Sequence, residues 1–299
     1  MNKKKFLVIG SNSFSGSHFI KEALLQGHHV WAVSRSEEPN KVYLAYRWEI
    51  SGMNRAIAND NNFNFTPVDL NTELDILKSI VNEVKPNIVV NFAAQGMVAE
   101  SWENPIDWYK TNVLTQVELH EFLRTKNYLE KYVHVTTPEV YGSTDDGWIR
   151  ENDYFRPSTP YAVSRAACDM HLKSFYKAYD FPVIFTRAAN VYGPGQQLYR
   201  IIPRALMSAL TSKPMDLHGG GRSKRSFIHI TDVSKATLLL ALEAKAGTTW
   251  HLSTSNSVSI KDIVKKVFDI SGADFNKLVR ESDERLGKDQ SYLLDSTAI

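Results

Sequence analysis

Short β-branched runs alternate with amphipathic helical stretches through the first two thirds of this chain, and that rhythm leaves few architectures open. Lys5 to Gly10 (KFLVIG) reads as a strand, and 15–26 as a helix with Phe19, Ile20, Ala23 and Leu24 on one face. His29 to Val33 and Phe63 to Val68 read as strands, 73–84 as a helix, and Asn87 to Ala94 as a compact apolar strand. Helix 106–125, strand 131–136, helix 161–178 and strand 183–188 continue the alternation. Repeated βαβ units place parallel strands in one sheet with helices on both faces. The expected fold is therefore α/β, a doubly wound, Rossmann-like parallel sheet whose ligands bind outside the carboxyl ends of the strands. After Gly193 the rhythm loosens. A helix at about 200–211, a turn at Gly219-Gly220-Gly221, a strand at 225–230 and helices near 232–245 and 259–270 read as a smaller lobe. The expected division is a first domain at 1–189 and a C-terminal lobe at 190–299, interleaved with it. Polar residues 51–62 read as a connection.

Composition narrows the setting. A chain of 299 residues with 43% hydrophobic content can bury a sizeable core. A net charge of +2 implies no general binding of polyanions. The Arg222-Ser223-Lys224-Arg225 cluster lacks interleaved aromatics, so no nucleic-acid partner is expected. The single cysteine, Cys168, excludes an intramolecular disulfide and fits a reducing compartment. The lysine-rich start lacks the apolar stretch of a signal peptide, and no run of eighteen apolar residues occurs, so no membrane partner is expected either. A soluble cytoplasmic protein is the expectation. His134, His218, His229 and His251 lack metal-ligand spacing, so no metal is expected.

The first strand runs into Gly10-Ser11-Asn12-Ser13-Phe14-Ser15-Gly16 and then a helix. Such a turn lets backbone N–H groups approach a pyrophosphate at a helix N-terminus. Only Gly10 and Gly16 remain of three glycines in G-x-x-G-x-x-G, with Ser13 in the middle place. The first βαβ unit is where a dinucleotide would bind, which makes 1–189 the dinucleotide-binding domain. Ser34-Arg35-Ser36 closes the second strand, and Arg35 favours a 2′-phosphate over a free ribose hydroxyl. Glu37 and Glu38 fall slightly too late to replace it. NADP is thus the expected cofactor, with NAD the alternative. Asp69, closing the third strand, suits either an adenine amino group or a turn before the next helix.

Chemistry concentrates in Thr136-Thr137-Pro138-Glu139-Val140-Tyr141-Gly142 and Tyr161-Ala162-Val163-Ser164-Arg165. Tyr161 and Arg165 lie one helical turn apart, so the cation can favour a phenolate. To act as a base at neutral pH the phenol must fall from about 10 toward 7, worth about 4 kcal/mol. Glu139 adds an independent proton acceptor. Together they suggest oxidation of an alcohol with chemistry at the neighbouring carbon. The same residues also suit an exposed i, i+4 helical pair and a solvated turn.

With GSNSFSGSH (10–18), NFAAQ (91–95), TTPEVYG (136–142), PYAVSRAACD (160–169), NVYGPGQQLYRIIP (190–203) and RSFIHITDV (225–233) in order, the chain resembles extended short-chain dehydrogenases/reductases acting on nucleotide sugars. It looks most like dTDP-glucose 4,6-dehydratases, with features of GDP-mannose 4,6-dehydratases. The resemblance implies that Thr137 bonds the sugar 4-hydroxyl, Tyr161 removes its proton during hydride transfer, and Glu139 removes the C5 proton before the 6-hydroxyl leaves. The hydride then returns to C6. It further implies cofactor contacts from Leu70, Ala93, Ala94, Tyr161 and Arg165. Substrate contacts are implied for Gln95, Thr137, Pro138, Glu139, Asn190, Arg200 and Arg225, making 190–299 mainly a substrate-binding lobe.

Two departures stand out. Pro138 replaces the aspartate thought to protonate the leaving hydroxyl, and Arg165 replaces the usual lysine, keeping charge but not shape. Nucleotide-sugar 4-epimerases, UDP-glucuronate decarboxylases and a catalytically degenerate binding protein are the alternatives. Relatives commonly dimerise, so helices 106–125 and 161–178, with Val113, Leu114, Val117 and Phe122, are expected to pair with a second copy. Ser291 to Ile299 (SYLLDSTAI) resembles the start of a motif that in relatives continues into another turn and helix.

Overall fold

Seven parallel strands form the central sheet of the computed structural model, which describes residues 3–48, 62–144, 147–283 and 291–299. Residues 51–61 of the expected connection lie outside these. The strands are β1 (Lys5–Ile9), β2 (His29–Ser34), β3 (Phe63–Pro67), β4 (Ile88–Asn91), β5 (Lys131–Thr136), β6 (Val183–Ala188) and β7 (Thr249–Leu252). Their spatial order is β7-β6-β5-β4-β1-β2-β3. Every pairing is parallel, with Leu7 opposite both Trp31 and Val89. The order reverses between β1 and β4, which opens a crevice at their carboxyl ends.

Alternate side chains of each strand enter opposite cores. Phe6, Val8, Val30, Val90 and Ile184 pack with α1 (Phe14–Leu25) and, from far along the chain, α7 (Ile230–Glu243). Leu7, Ile9, Val89, Val183 and Phe185 pack on the other face beneath α2 (Leu74–Val84), α4 (Thr115–Leu123) and α5 (Pro160–Tyr179). A third core, including Ala205, Met215, Leu217, Val264 and Phe268, joins α6 (Ile201–Thr211) to α8 (Ile260–Ser271) in the smaller lobe. The two regions interleave. Residues after 190 supply α7 and the edge strand β7, so the C-terminal portion shares with α1 the covering of one face of the main sheet.

Three elements differ from the sequence-based expectation. Strand β4 stops at Asn91 rather than Ala94, because the Asn91 carboxamide accepts from Ala93 N at 2.9 Å and turns the chain outward. The helix expected at 106–125 consists of α3 (Pro105–Tyr109), a π turn at Lys110–Leu114, and α4. The bulge buries Asn112, whose carboxamide bonds Gln95 and Ser164. The strand expected at 225–230 is two strands, Lys224–Arg225 and Phe227–His229, which pair with different partners. On the helices expected to meet a second copy, Leu114 is 67% and Ile106 78% exposed, whereas Phe122 packs against the core. Among the described residues, no helix is long and apolar enough to cross a membrane.

Candidate active site

The crevice begins at the turn after β1. Gly10 has φ +81°, and a Cβ there would stand 2.6 Å from Ala93 N, so only glycine lets the turn lie against the end of β4. A Cβ on Gly16 would meet Gly10 O at 2.5 Å. Ser13 replaces a third glycine by tying the turn together: its hydroxyl donates to Gly10 O at 2.7 Å and accepts from Gly16 N at 3.1 Å. The amides of Phe14 and Ser15 at the start of α1 have no intramolecular acceptor among the described residues. Two open N–H donors at the positive end of a twelve-residue helix fit a dinucleotide pyrophosphate.

Asn12 anchors the turn to the end of β2, donating to Ser36 O and Glu37 O at 2.9 and 3.1 Å. Arg35 is exposed and makes no ion pair among the described residues. Glu38 is occupied elsewhere, paired with Arg47 at 2.9 Å and bonded by the Tyr46 hydroxyl at 2.8 Å. Asp69 is partly exposed, and its carboxylate accepts from Asn71 N at 2.9 Å, closing its own turn. Leu70 and Ala93 contribute to the core beneath the crevice, while Ala94 is exposed and Gln95 half-buried.

At the end of β5, Thr137 caps a short 3₁₀ turn over Pro138–Tyr141, accepting from Glu139 N at 3.3 Å. Pro138 is buried at the first position of that turn, where its fixed φ suits it and no N–H is needed. Tyr161 is the second residue of α5, which Thr159 caps through Ala162 N at 3.1 Å. Its backbone is held on both sides: Tyr161 N donates to Ser101 Oγ at 3.2 Å, and Tyr161 O accepts from Ser164 Oγ at 2.7 Å. Ser164 Oγ in turn accepts from buried Asn112 at 3.0 Å, so the π bulge, the end of β4 and the tyrosine helix form one unit.

The phenol of Tyr161 is pushed above its ordinary value, against the expectation from its spacing to Arg165. Burial raises it most and the Glu139 carboxylate raises it further, which together outweigh lowering by Arg165, a hydrogen bond from Thr137, and Arg200. Arg165 is the largest of the three lowering influences. It is 2% exposed and turned inward, with Nη2 donating to Val135 O and lying 3.5 Å from His134 Nε2. Its Nε and Nη1 are buried without a hydrogen-bond partner, so the guanidinium does not face the open crevice where ribose hydroxyls would lie. A guanidinium reaches farther than an ammonium, and here it ends against Val135 O and His134.

That interior holds a network that the sequence reading missed. Asp169, fully buried, accepts from Arg187 Nη2 at 2.8 Å and Thr136 Oγ1 at 3.1 Å, and stands 3.2 Å from His134 Nε2. Burial alone would raise its carboxyl, but Arg187, His134 and Arg165 hold it at about 2. Arg187 also donates to the Tyr141 hydroxyl at 2.8 Å, which lies 2.9 Å from His251 Nε2. Burial keeps His251 at about 4, with Nδ1 bonded to Asp295 O.

On the facing side, Asn190 pairs with Phe227 in the strand beside Arg225, and Arg200 sits exposed just before α6. Tyr292 joins this group, its hydroxyl donating to Asn190 Oδ1 at 3.0 Å. Thus Thr137 and Glu139 come together at Tyr161 with Arg165 and Arg200 in electrostatic reach, while Asn190 and Arg225 are linked to one another through Tyr292. Asn112 had a signal, as a polar residue inside an apolar helical pattern. Tyr292 had none.

Known proteins resemble this chain along nearly its whole length. The family described as GDP-mannose 4,6 dehydratase matches residues 7–295. The trifunctional UDP-glucose 4,6-dehydratase/UDP-4-keto-6-deoxy-D-glucose 3,5-epimerase/UDP-4-keto-L-rhamnose-reductase of Arabidopsis thaliana is 26% identical over 99% of this chain, which spans only 44% of that enzyme's length. The dTDP-glucose 4,6-dehydratase of Streptomyces niveus is 28% identical, covering 99% of this chain and 85% of its own. Among solved structures, the dTDP-glucose 4,6-dehydratase DesIV of Streptomyces venezuelae with NAD bound superimposes with a TM-score of 0.85 at 27% identity, covering 99% of this chain and 89% of that one.

Proposed function

The chain belongs to the GDP-mannose 4,6 dehydratase family, and from this we propose that it is a nicotinamide-dependent nucleotide-sugar 4,6-dehydratase, a lyase making an NDP-4-keto-6-deoxyhexose from an NDP-hexose. The observation that carries the reading is the meeting of Glu139 and Thr137 at the Tyr161 phenol. A bound nicotinamide dinucleotide supplies the reversible hydride store. Tyr161 takes the proton of the 4-hydroxyl, a step that requires its phenol to fall from the raised value it has here, and Thr137 holds that oxygen in line. A ketone at C4 acidifies the C5 hydrogen, which Glu139 removes as general base. Pro138 has no proton to give, so the acid for the leaving 6-hydroxyl is not supplied from that position. Arg165 acts on Tyr161 through its charge, the largest of the influences that lower the phenol. The exposed apolar residues Ile106 and Leu114 support a homodimer formed through these helices.

Incubating the purified protein with dTDP-, UDP- and GDP-hexoses and weighing the products tests this directly. Loss of one water from a hexose is expected. Loss of carbon dioxide from a UDP-hexuronate would instead mark a decarboxylase, and a changed configuration at constant mass an epimerase. Light scattering on the same sample should give twice the chain mass; a monomer would remove the dimer from the proposal.

The finer assignment is NADP. Arg35 is open at the end of β2; of the two acidic residues that follow it, Glu38 is engaged by Arg47 and Tyr46 and Glu37 is exposed. NADP should bind more tightly than NAD, and Arg35→Ala should narrow the gap by about tenfold or more, the loss typical of a hydrogen bond to a charged group. Calorimetry giving equal or tighter binding of NAD to the unaltered protein would overturn the assignment.

A further inference from the structure

We infer that Asn12 is a positioning residue for the cofactor's 2′-phosphate, favouring NADP by fixing the backbone that carries Arg35; this rests on the NADP reading above. Asn12 lies in the turn between β1 and α1 and is partly buried. Its Nδ2 donates to two carbonyls of the segment after β2, Ser36 O at 2.9 Å and Glu37 O at 3.1 Å. A carboxamide nitrogen carries two N–H groups, and a backbone carbonyl can only accept. Both hydrogens are therefore spent, and the flipped carboxamide would set oxygen against oxygen. Oδ1 is buried without a hydrogen-bond partner, so the tie to Ser36 and Glu37 is the whole polar engagement of this side chain among the described residues.

The turn itself does not need that tie. Gly10 N and Ser11 N donate to Val33 O at 2.8 and 3.1 Å, and the Ser13 hydroxyl closes the turn through Gly10 O and Gly16 N. The open amides of Phe14 and Ser15, which suit the pyrophosphate common to NAD and NADP, stand on that frame. The segment 35–37 is different. Its three residues are exposed, belong to no helix or strand, and make no other hydrogen bond among the described residues. Ser34 O, accepting from Val68 N at 2.7 Å, fixes the chain before it, and Glu38, held by Arg47 and Tyr46, fixes the chain after it. Between these two ends the backbone is held by Asn12.

The span so held carries two opposite charges, Arg35 and Glu37. A guanidinium favours a 2′-phosphate, whereas a carboxylate accepts from a free 2′-hydroxyl. Which of them meets the ribose depends on how the backbone between them is turned, and Asn12 fixes the carbonyls of Ser36 and Glu37 against the cofactor turn. A segment already ordered loses less conformational freedom when it closes on a ligand. That gain is made at the 2′ end of the cofactor and not at the pyrophosphate, so it falls on NADP and spares NAD.

The test is calorimetry on the full chain with NADP and NAD, with thermal melting as a control. In Asn12→Ala, NADP binding should weaken by about 3–10-fold, the usual loss for a hydrogen bond, while NAD binding stays within about twofold. Added to Arg35→Ala, the same substitution should leave the ratio of NADP to NAD affinity where Arg35→Ala put it, because Asn12 acts through Arg35. Asn12→Ser keeps one donor and should give an intermediate ratio; it supplies the second reading should Asn12→Ala fail to fold. Equal weakening of both cofactors, or a lowered melting point with the ratio unchanged, would mark Asn12 as purely structural and overturn the inference. So would a further fall in the ratio when Asn12→Ala is added to Arg35→Ala. Each of these outcomes leaves the NADP reading standing, provided the unaltered protein prefers NADP. If the unaltered protein binds NAD as tightly or more tightly, the NADP reading falls and the inference falls with it.

Discussion

Replacing Glu139 with Gln is expected to lower overall turnover by about 10²–10⁴-fold, the range for loss of a general base, while leaving the oxidation half of the reaction intact. The amide keeps the shape of the side chain and removes its capacity to take the C5 proton. Bound cofactor should therefore still be reduced on adding the correct nucleotide sugar, and the sugar should accumulate as the 4-keto hexose. Tyr161→Phe should block even that reduction. The electrostatics add a second signature. The Glu139 charge is one of the two influences that hold the Tyr161 phenol above its ordinary value. Removing the charge lowers the phenol, so cofactor reduction in Glu139→Gln should set in at lower pH than in the unaltered protein. In deuterated water the unaltered enzyme should place deuterium at C5, while the C4 hydrogen moves to C6. Product formation by Glu139→Gln at the normal rate would remove Glu139 from the mechanism.

The other large effect is on stability. Asp169→Ala should destabilise the fold by about 3–5 kcal/mol, the usual cost of breaking a buried ion pair from one side. The variant leaves Arg187 and Arg165, both 2% exposed or less, without the carboxylate between them. The sign with pH follows from the direction of the shift. Asp169 sits at about 2 in the folded protein, below the usual carboxylate value of about 3.9, so its contribution is complete above about pH 4. That contribution is lost as the pH falls through 2. Urea unfolding at neutral pH measures the loss, and a midpoint equal to that of the unaltered chain would show the network to be dispensable.

The fold was legible because its signals are local and repeated. Each main-sheet strand from β1 to β6 is a short β-branched or apolar run, and β1, β3, β4 and β5 are each followed by a stretch with helical spacing. The missed strand, β7, has no such context: Thr249-Trp250-His251-Leu252 follows a helix and becomes a strand only because β6 offers it a free edge. The same limit applies to the site. Thr137, Glu139 and Tyr161 occupy positions where chain direction alone brings them to one end of the sheet. Arg165 lowers the Tyr161 phenol as its spacing implies, but its orientation is decided by Val135, His134 and a carboxylate four residues further on. The phenol's direction was misread for the same reason, since spacing reports a neighbouring charge but not burial. Asn112, Asp169, Arg187 and Tyr292 act through contacts between residues distant in sequence, which no window of sequence displays.

The pairing of α1 with α7 has a consequence for how the protein is made. The apolar face of α1, with Phe19, Ile20 and Leu24, is covered by Val233, Leu238 and Ala241 from two hundred residues later. A ribosome adding about 5–20 residues per second needs roughly ten to fifty seconds to deliver that cover. Throughout that interval one face of the emerging sheet has only α1 for cover, and the sheet lacks the strand that ends it. Contacts so distant in sequence also slow folding once the chain is complete. Production in a cell therefore depends on how well the half-made chain is shielded, and mutations in α7 should reduce yield before they alter the site.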